Sequence, residues 1–530
     1  MPITRPSLGK LTPEPVQRLV VNAADRWPNK TAIVDGDRRV TFSELDSYTD
    51  RLAVALQAIG VSKGDFVGIL APNCLEFEIG FFGILKAGAT VTTINSGYKE
   101  REIAAQLTAS GAAILIVHGS LMKMATAAAK DTPTLQRLIA VNEDANDAGS
   151  FWGLIEAASG KPLPVEIDPV RDLAALPFSS GTTGVNKGVM LAHENLFVNV
   201  RQAADRDETN AVVHDDVVLV HLPLFHIYGM TVLMQQSLYV GATQVIMGRF
   251  DMNLLLSLIQ DHHVTVLYTA PPVGVGLSQT SLLNNYDVSS LRFSMFGAAP
   301  MSAELQLRIS DRLGCTVIQG YGLTETSPLT HMDFADERMK PGSIGPPVSD
   351  IEQRVVDMET GQIDLGPNEL GELLVRGANV MRGYYNKPEA TAAAINTDGW
   401  LFTGDLVKID EDGYVYVFDR KKELIKYSGF QVPPAELEGI LLEHPAVADA
   451  AVIGKEDLEH GEIPKAFVVL KAGIVASDRE LMDYVSEQVA TFKRVREIEF
   501  VDAIPKNPSG KLLRRVLVER ERARATGTEA

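Results

Sequence analysis

Residues 178–188 read Phe-Ser-Ser-Gly-Thr-Thr-Gly-Val-Asn-Lys-Gly, a run of hydroxyl and glycine residues that closes on a lysine and a glycine. Glycine lets a backbone approach a polyphosphate, hydroxyls add hydrogen-bond donors, and lysine offsets negative charge. The spacing does not fit a Walker loop. Composition therefore predicts a phosphate-binding loop and leaves a plain surface turn as the alternative. The candidate phosphate-binding residues are Ser179, Ser180, Gly181, Thr182, Thr183, Gly184 and Lys187.

Helix and strand patterns alternate on both sides of this loop. A capping box at 41–44 begins a helical pattern that ends at Gly60, an apolar run at 66–70 indicates a buried strand, and 76–86 favours a second helix. This alternation predicts an α/β fold of stacked layers with buried parallel strands. Further strands are predicted at 112–117, 217–222, 264–268 and 291–296.

From about residue 351 the pattern changes to short alternating segments separated by hairpin signals, which predicts a β-rich subdomain. A charged run then interrupts the pattern. We predict a large N-terminal domain over 1–418, a hinge at 419–422 and a small α+β domain over 423–530. The small-domain elements are predicted at 434–443, 450–453, 466–470 and 479–489, with a basic helical tail at 512–524.

The composition is that of a globular chain with an acidic excess. Its 530 residues include 49 Lys and Arg against 68 Asp and Glu, a formal net charge of −19. This balance argues against nucleic-acid binding, which usually needs a basic face. The chain shows no signal-peptide pattern and no apolar run long enough to cross a membrane, and Cys74 and Cys315 lack partners at metal or redox spacing. We expect a cytoplasmic protein with no integral membrane segment, either a monomer or a homodimer.

Six further motifs carry candidate functional residues. Tyr321 can stack on a base, Thr324 can donate to a phosphate and Glu325 can hold Mg²⁺, although Thr324-Glu325 is equally compatible with a plain helix start. The residues alone also allow His226 to be a core histidine, Asp405 to close a turn, and Lys511 to be a surface charge. The motifs occupy residues 222–229, 297–300, 319–325, 399–406, 426–432 and 506–511.

Together with the loop, these motifs resemble the signatures of the adenylate-forming superfamily, which contains acyl-CoA synthetases, firefly luciferase and the adenylation domains of peptide synthetases. The similarity is strongest to the 4-coumarate:CoA ligase and fatty acyl-CoA synthetase branch. One departure is Asn186, where the family usually has proline. The resemblance implies an ATP-dependent carboxylic acid:CoA ligase that uses ATP, Mg²⁺ and coenzyme A. Its substrate would be an aromatic acid or a medium- or long-chain fatty acid.

The resemblance also implies residue roles. The small domain of the family rotates between two half-reactions, so Lys422 is the expected pivot. Lys511 would draw the carboxylate against the α-phosphate, while Lys426 and Gln431 would assist from the opposite face of the small domain. The expected catalytic residues are Lys511, Lys426, Gln431, His226 and Thr324, with Glu325 as the metal ligand.

The remaining implied residues bind the nucleotide, CoA or the acyl group. Asp405 would accept the ribose hydroxyls with help from Arg420, and a thin pantetheine chain would pass Gly429. The cofactor-binding set outside the loop is Ala298, Ala299, Gly320, Tyr321, Gly322, Asp405, Arg420, Ser428, Gly429 and Phe430. The acyl-pocket set is His226, Tyr228, Gly229, Phe296, Gly297, Ser327 and Pro328.

Three rival functions follow from the same motifs. An adenylation enzyme for a carrier protein would ordinarily precede a carrier domain, whereas this chain ends at Ala530, soon after Lys511. A luciferase-like oxygenase shares nearly every motif. A non-catalytic nucleotide-binding protein is disfavoured because Glu325 and Lys511 are both present.

Overall fold

The computed structural model of the chain describes residues 5–9, 12–141, 149–179, 186–205, 211–428, 430–457, 460–507 and 510–525. The predicted site residues Ser180, Gly181, Thr182, Thr183, Gly184 and Gly429 lie outside the described residues.

The strands, numbered along the chain, belong to four main sheets and one short hairpin. The strands of the described residues are β1 (Thr31–Asp35), β2 (Arg38–Thr41), β3 (Phe66–Leu70), β4 (Thr90–Ile94), β5 (Ile114–His118), β6 (Arg137–Val141), β7 (Leu173–Ala175), β8 (Phe178–Ser179), β9 (Lys187–Gly188), β10 (Leu191–Ala192), β11 (Val217–Val220), β12 (Thr243–Ile246), β13 (Val266–Thr269), β14 (Phe293–Phe296), β15 (Thr316–Gly322), β16 (Leu329–Met332), β17 (Glu352–Val356), β18 (Gly371–Arg376), β19 (Leu401–Ile409), β20 (Val415–Arg420), β21 (Ile425–Tyr427), β22 (Phe430–Val432), β23 (Val447–Asp457), β24 (Gly461–Leu470) and β25 (Glu497–Phe500).

The helices connect these strands and cover the sheets. The α-helices of the described residues are α1 (Arg18–Arg26), α2 (Phe42–Ala58), α3 (Leu75–Ala87), α4 (Glu100–Ser110), α5 (Met122–Ala129), α6 (Phe151–Ala157), α7 (His193–Ala203), α8 (Gln236–Val240), α9 (Met252–His262), α10 (Pro271–Gln279), α11 (Ala303–Leu313), α12 (Pro388–Ala394), α13 (Pro434–Glu443), α14 (Asp478–Ser486) and α15 (Arg514–Ala525). Short 3₁₀ turns occupy Gly119–Leu121, Leu282–Asn285, Thr324–Thr326 and Thr491–Lys493, and a π-helix occupies Tyr228–Gln235.

Two mainly parallel sheets form the body of the large domain, as the alternating pattern predicts. The first runs β16-β15-β14-β13-β11-β12-β1-β2, with antiparallel strands only at its edges among the described pairs, and the second runs β10-β7-β4-β3-β5-β6. Helix α3 lies between them: Gly80 packs on Ile69 of β3, while Glu78 accepts a hydrogen bond from Gln244 of β12 at 3.1 Å. Every residue of α3 is buried, which explains its almost continuous apolar sequence.

The predicted beginning and end of α2 are confirmed. Thr41 Oγ1 accepts from the backbone N–H of Glu44 at 3.2 Å, and Glu44 Oε2 accepts from the backbone N–H of Thr41 at 2.9 Å. These reciprocal bonds satisfy two donors at the start of α2. Just past its end, Gly60 has φ +98°, a left-handed conformation that glycine adopts without strain.

The C-terminal part of the chain forms two further sheets. Strands β17-β18-β19-β20 are antiparallel, and a separate sheet contains β22-β21-β24-β23 with β25 parallel to β24. The chain leaves the first sheet after Arg420 and enters the second at Ile425. The predicted hinge at 419–422 falls across this crossing, and the domain boundaries stay a prediction. Within the described ranges, no helix has the length and apolar character needed to cross a membrane.

Most predicted strands and helices differ by a few residues at their ends, and two differences lie next to His226. The strand predicted at 217–222 ends at Val220, because Asn73 of the other sheet's β3–α3 connection binds the carbonyls of Val220 and Leu222 through Nδ2 at 3.2 and 3.0 Å. The buried π-helix that follows has no periodic signal in the sequence. Such wide turns often occur near functional sites.

A buried ion cluster joins α2 to α3. Lys86 Nζ lies 2.5 Å from Asp46 Oδ1 and 2.6 Å from Asp50 Oδ1, and the Lys86 side chain is only 5% exposed. Lys161 approaches the same two carboxylates from the surface, where its side chain is 75% exposed. The buried carboxylates therefore depend chiefly on Lys86 for charge balance.

Lys86→Ala is expected to lower the free energy of unfolding by about 3–5 kcal/mol, because two buried carboxylates lose their buried cation. The matched control Lys161→Ala should cost less than about 1 kcal/mol, since its ammonium is exposed to water. Urea unfolding midpoints of the two variants and the parent chain measure the difference. Equal shifts for the two lysines would contradict this assignment.

Candidate active site

Strands β8 and β9 bring together the two ends of the predicted phosphate loop. Ser179 pairs with Lys187 and Phe178 with Gly188 in antiparallel register. Asn186, which replaces the usual proline, donates from Nδ2 to the hydroxyl of Tyr98 at 2.8 Å. The base of the loop is therefore held by a hairpin and by an amide contact instead of a proline ring.

Glu325, the predicted metal ligand, lies beside this hairpin. Its Oε1 accepts hydrogen bonds from Ser179 Oγ at 2.9 Å and from the hydroxyl of Tyr384 at 3.0 Å. Lys187 Nζ lies 4.8 Å from the centre of the Tyr384 ring, a cation–π contact. Burial and the Glu325 charge raise the pKa of Tyr384, so its hydroxyl stays a donor. No sequence motif points to Tyr384, although it contacts both the loop lysine and the acidic residue.

Magnesium fits this arrangement. Within the described residues, no group of three or more His, Cys, Asp and Glu side chains forms a complete metal cage. Mg²⁺ in nucleotide enzymes is usually held by one or two carboxylates together with substrate phosphates and water. Glu325 beside the phosphate loop supplies that kind of ligand, oriented by Ser179 and Tyr384. A bound Mg²⁺ would offset phosphate charge.

The predicted ribose ligand and its helper are brought together across neighbouring strands. Asp405 of β19 pairs with Arg420 of β20, and Arg420 Nε lies 3.1 Å from Asp405 Oδ1. The Tyr321 hydroxyl donates to Asp405 Oδ2 at 2.5 Å. The Asp405 charge raises the pKa of Arg420, and burial followed by the same charge raises the pKa of Tyr321. Asp405 is thus a buried carboxylate with two fixed donors.

Small residues line the segments predicted to lie against the adenine. A Cβ atom on Gly322 would lie 2.0 Å from the carbonyl oxygen of Pro328, so no larger residue fits there. Ala298 is exposed with φ +70°, and Ala299 is half-buried. Gly320 packs on the Met295 side chain: a Cβ atom there would lie 2.9 Å from its sulfur.

The turn that carries His226 is fixed by Asn73. Asn73 Oδ1 accepts from the backbone N–H of Leu224 at 2.8 Å, and the backbone N–H of Tyr228 donates to His226 Nδ1 at 3.3 Å. Burial, then the Lys511 charge, lowers the pKa of His226 to about 4. His226 is therefore neutral at physiological pH and can accept or donate hydrogen bonds without carrying a charge.

Most of the predicted acyl-pocket residues meet around Tyr228. Its hydroxyl donates to the carbonyl of Met295 at 3.2 Å, and a Cβ atom on Gly297 would lie 3.1 Å from its ring. Gly229 follows Tyr228 in the buried π-helix.

Phe296 points elsewhere. Its ring packs against Gly274, in the core cluster that also contains Ile309, whereas Met295 belongs to the cluster that contains Tyr228. Adjacent residues of a strand face opposite sides, so Met295 is the side chain on the Tyr228 side of β14.

Thr324 and the predicted residues that follow it form a tight segment. Thr324 begins a 3₁₀ turn and is half-buried. Ser327 is fully buried, and its hydroxyl donates to the carbonyl of Asn379 at 2.9 Å. Pro328 is buried against Gly322. Ser327 is therefore engaged with the protein backbone.

Lys511 comes from the small domain but lies against the large one. A turn positions it: Asn507 Oδ1 accepts from the Lys511 backbone N–H at 2.7 Å. A Cβ atom on the preceding Gly510 would lie 3.1 Å from Pro272 at the start of α10. Burial lowers the pKa of Lys511, as does the charge of Arg420, while nearby carboxylates oppose the shift; these are Asp405, Glu423 and Glu325.

The second predicted face of the small domain is exposed to solvent. Lys426 and Gln431 pair across β21 and β22, and both are exposed. Ser428 Oγ lies 2.9 Å from His460 Nδ1, and the exposed Phe430 ring stacks on Phe492 at 4.6 Å. The structure thus brings Lys511 to the large domain and leaves the Lys426 face outside. Lys422 is also exposed.

The chain is similar to known AMP-binding enzymes over most of its length. The sequence profile of AMP-binding enzymes matches residues 20–385, and that of the AMP-binding enzyme C-terminal domain matches residues 436–511. The chain is 42% identical over 503 residues to 4-coumarate–CoA ligase 5 of Oryza sativa subsp. japonica, covering 93% of this chain and 92% of the relative.

Solved structures show the same likeness. An anthranilate CoA ligase in complex with anthranoyl-AMP superposes with a TM-score of 0.90 at 28% identity, covering 98% of this chain and 99% of the other. A benzoate CoA ligase from Burkholderia xenovorans LB400 superposes with a TM-score of 0.86 at 26% identity, covering 96% of this chain and all of the other.

Tyr384→Phe is expected to weaken Mg²⁺-dependent ATP binding by about 10-fold or more, because Glu325 loses a donor that orients it. ATP binding in the presence of a chelator should change less. Calorimetric titration with and without Mg²⁺ measures both. The matched control is Tyr385→Phe, since the Tyr385 ring packs on Phe66 at 5.3 Å. Equal weakening with and without Mg²⁺ would contradict the proposed role of Tyr384.

Proposed function

Because the chain belongs to the AMP-binding enzyme family and is an ATP-dependent, AMP-forming acid:CoA ligase, we propose that it activates an aromatic carboxylic acid with Lys511 as the adenylation lysine. The enzyme uses ATP, Mg²⁺ and coenzyme A. Its substrates are a small-molecule acid and CoA.

The placement of Lys511 is the observation that carries this proposal. Gly510, directly before Lys511, packs against Pro272 at the start of α10, and in this position the charges of Arg420, Asp405 and Glu325 act on the pKa of Lys511 while the Lys511 charge helps to lower the pKa of His226. One ammonium group therefore lies among the predicted ribose ligand, the predicted metal ligand and the predicted acyl-pocket histidine. That is where a carboxylate and the α-phosphate of ATP must meet.

The first half-reaction brings two anions together. A carboxylate oxygen attacks the α-phosphorus, the bond to the bridging oxygen breaks, and pyrophosphate leaves with that electron pair. Lys511 lowers the repulsion between the two anions and stabilises charge on the transferring group. Asp405 and Arg420 hold the ribose end, while Glu325 and the Ser179–Lys187 hairpin hold the phosphate end. Neutral His226 contributes hydrogen bonds without adding charge.

The second half-reaction needs a different surface. The CoA thiol attacks the acyl carbon, the bond to the phosphate oxygen breaks, and AMP leaves. Lys426, Ser428 and Gln431 are exposed on the β21–β22 hairpin, while the half-buried Lys511 follows Gly510, which lies against Pro272 of the large domain, so both faces cannot serve the site at once. Rotation about Lys422, at the crossing between the two sheets, would exchange them.

An aromatic substrate is supported by the pocket and by the relatives. The named relatives act on 4-coumarate and anthranilate, and a third is a benzoate CoA ligase. Tyr228 and Met295 belong to one buried apolar cluster, which we take as a wall of the acyl pocket, and Gly297 lets the chain pass close to the Tyr228 ring. A flat ring suits such a wall, because aromatic pairs gain from edge and offset contacts.

The same interpretation extends to the cellular compartment and the oligomeric state of the enzyme. Both cysteines are unpaired and buried, which suits a reducing compartment, and we place the enzyme in the cytoplasm. The enzyme would act as a monomer or as a homodimer.

Lys511→Ala is expected to slow acid-dependent exchange of pyrophosphate into ATP by about 10²–10³-fold, because one preorganised cation is lost at the transferring phosphate. Thioester formation from supplied acyl-AMP and CoA should stay largely intact. The matched control is Lys506→Ala, because Lys506 Nζ pairs with Asp449 at 2.6 Å within the small domain. Equal loss of both half-reactions in Lys511→Ala would refute the assignment.

Aromatic acids such as 4-coumarate are expected to exceed decanoate in kcat/KM by about tenfold or more, since the pocket discriminates by shape. Met295→Ala should change the ratio of kcat/KM between two ring sizes, whereas the matched Phe296→Ala should chiefly lower stability, by about 3–5 kcal/mol. Release of AMP across an acid panel measures the kcat/KM ratios, and urea unfolding midpoints measure the stability of Phe296→Ala. A kcat/KM value for decanoate above that for 4-coumarate would contradict the aromatic proposal and favour a fatty acid as the substrate.

A further inference from the structure

Asp419 is the first residue of the predicted hinge at 419–422, and it still belongs to β20 of the large domain's sheet. It is 3% exposed and pairs with Leu406 in the large domain's antiparallel sheet. Its Oδ2 accepts from the backbone N–H of Ala435 at 2.7 Å. Ala435 is the second residue of α13, where backbone N–H groups have no partner inside the helix. A large-domain carboxylate therefore caps a small-domain helix.

The same carboxylate faces a small-domain cation. The Arg514 guanidinium binds Glu438 through Nη2 and Oε2 at 2.5 Å and also binds Glu423. Its charge acts on Asp419: burial raises the pKa of Asp419 to about 6 and Arg514 opposes that rise. Arg514 begins α15, directly after the loop that carries Lys511.

The bond from Asp419 to Ala435 joins residues on opposite sides of the predicted hinge residue Lys422. Asp419 precedes Lys422 and stays with the large-domain sheet, whereas Ala435 and Arg514 follow Lys422 and move with the small domain. Arg514 keeps Glu423 and Glu438 in any arrangement because both also follow the hinge. The capping bond of Asp419 therefore spans the hinge, and it is formed in the arrangement that presents Lys511 to the large domain.

We propose that Asp419 is a positioning residue that holds the small domain in the arrangement for adenylation, and that its bond to α13 breaks before thioester formation. The proposal rests on the proposed function, because it assigns this arrangement to the first half-reaction. Asp419 acts by placing Lys511 and itself touches no reacting atom.

Asp419→Ala should slow pyrophosphate exchange by about 3- to 30-fold, the range expected for loss of a helix cap. Thioester formation from supplied acyl-AMP should be unchanged or faster, because the variant no longer favours the arrangement that presents Lys511. Asp419→Asn keeps an oxygen that can accept from the backbone N–H of Ala435. Its rate of pyrophosphate exchange should lie between those of the parent chain and Asp419→Ala. It also tests the proposal if the alanine variant fails to fold.

Ser477→Ala is the matched control. Ser477 caps α14 by accepting from the backbone N–H of Glu480 at 3.1 Å, entirely within the small domain. Loss of that cap should leave the ratio of the two half-reactions unchanged. If Asp419→Ala slowed both half-reactions equally, or if Ser477→Ala changed the ratio as much, the proposal would be overturned.

A second measurement does not depend on activity. Arg420, Lys421 and Lys422 place consecutive trypsin sites at the hinge. Native-state trypsin cleavage there should be faster in Asp419→Ala than in the parent chain and in Ser477→Ala. Unchanged cleavage would overturn the proposal. Absence of pyrophosphate exchange in the parent chain with every acid would instead refute the proposed function, while the cleavage comparison would still test Asp419.

Discussion

The pairing of Asp405 with Arg420 across β19 and β20 is the contact on which the site depends. It places a buried carboxylate at the predicted ribose position, and it places a guanidinium next to the chain's crossing into the small domain. Arg420 is also the charge that most lowers the pKa of Lys511. The predicted ribose ligand, the chain's crossing between the two sheets and the pKa of Lys511 therefore all involve one ion pair.

Local cations explain how an acidic chain can handle polyphosphate. The net charge is −19, yet Lys187, Arg420 and Lys511 all converge on the site. Lys187 lies over the Tyr384 ring, Arg420 pairs with Asp405, and the charges of Asp405, Glu423 and Glu325 act on Lys511, so each cation has an anion or an aromatic ring nearby. A broad basic surface is unnecessary when the ligand's charge is met at close range in a partly buried site.

The sequence predicts elements whose signals are local. The capping box of α2 and the stop at Gly60 depend on neighbouring residues, and both are confirmed. Helix α13 has the bounds that the pattern predicts. The roles of Tyr384 and Asn73 could not be predicted, because each depends on contacts between segments far apart in sequence. The choice between Met295 and Phe296 needed the orientation of β14.

Asn73 ties the two large sheets together with a single amide. Its NH₂ group reaches the carbonyls of Val220 and Leu222 while its oxygen accepts from Leu224. Deamidation would keep the shape of the side chain but set a carboxylate against those carbonyl oxygens. The resulting repulsion would loosen the turn that holds His226, so slow chemical ageing at one buried position would displace the predicted acyl-pocket histidine while leaving the Asp405–Arg420 pair intact.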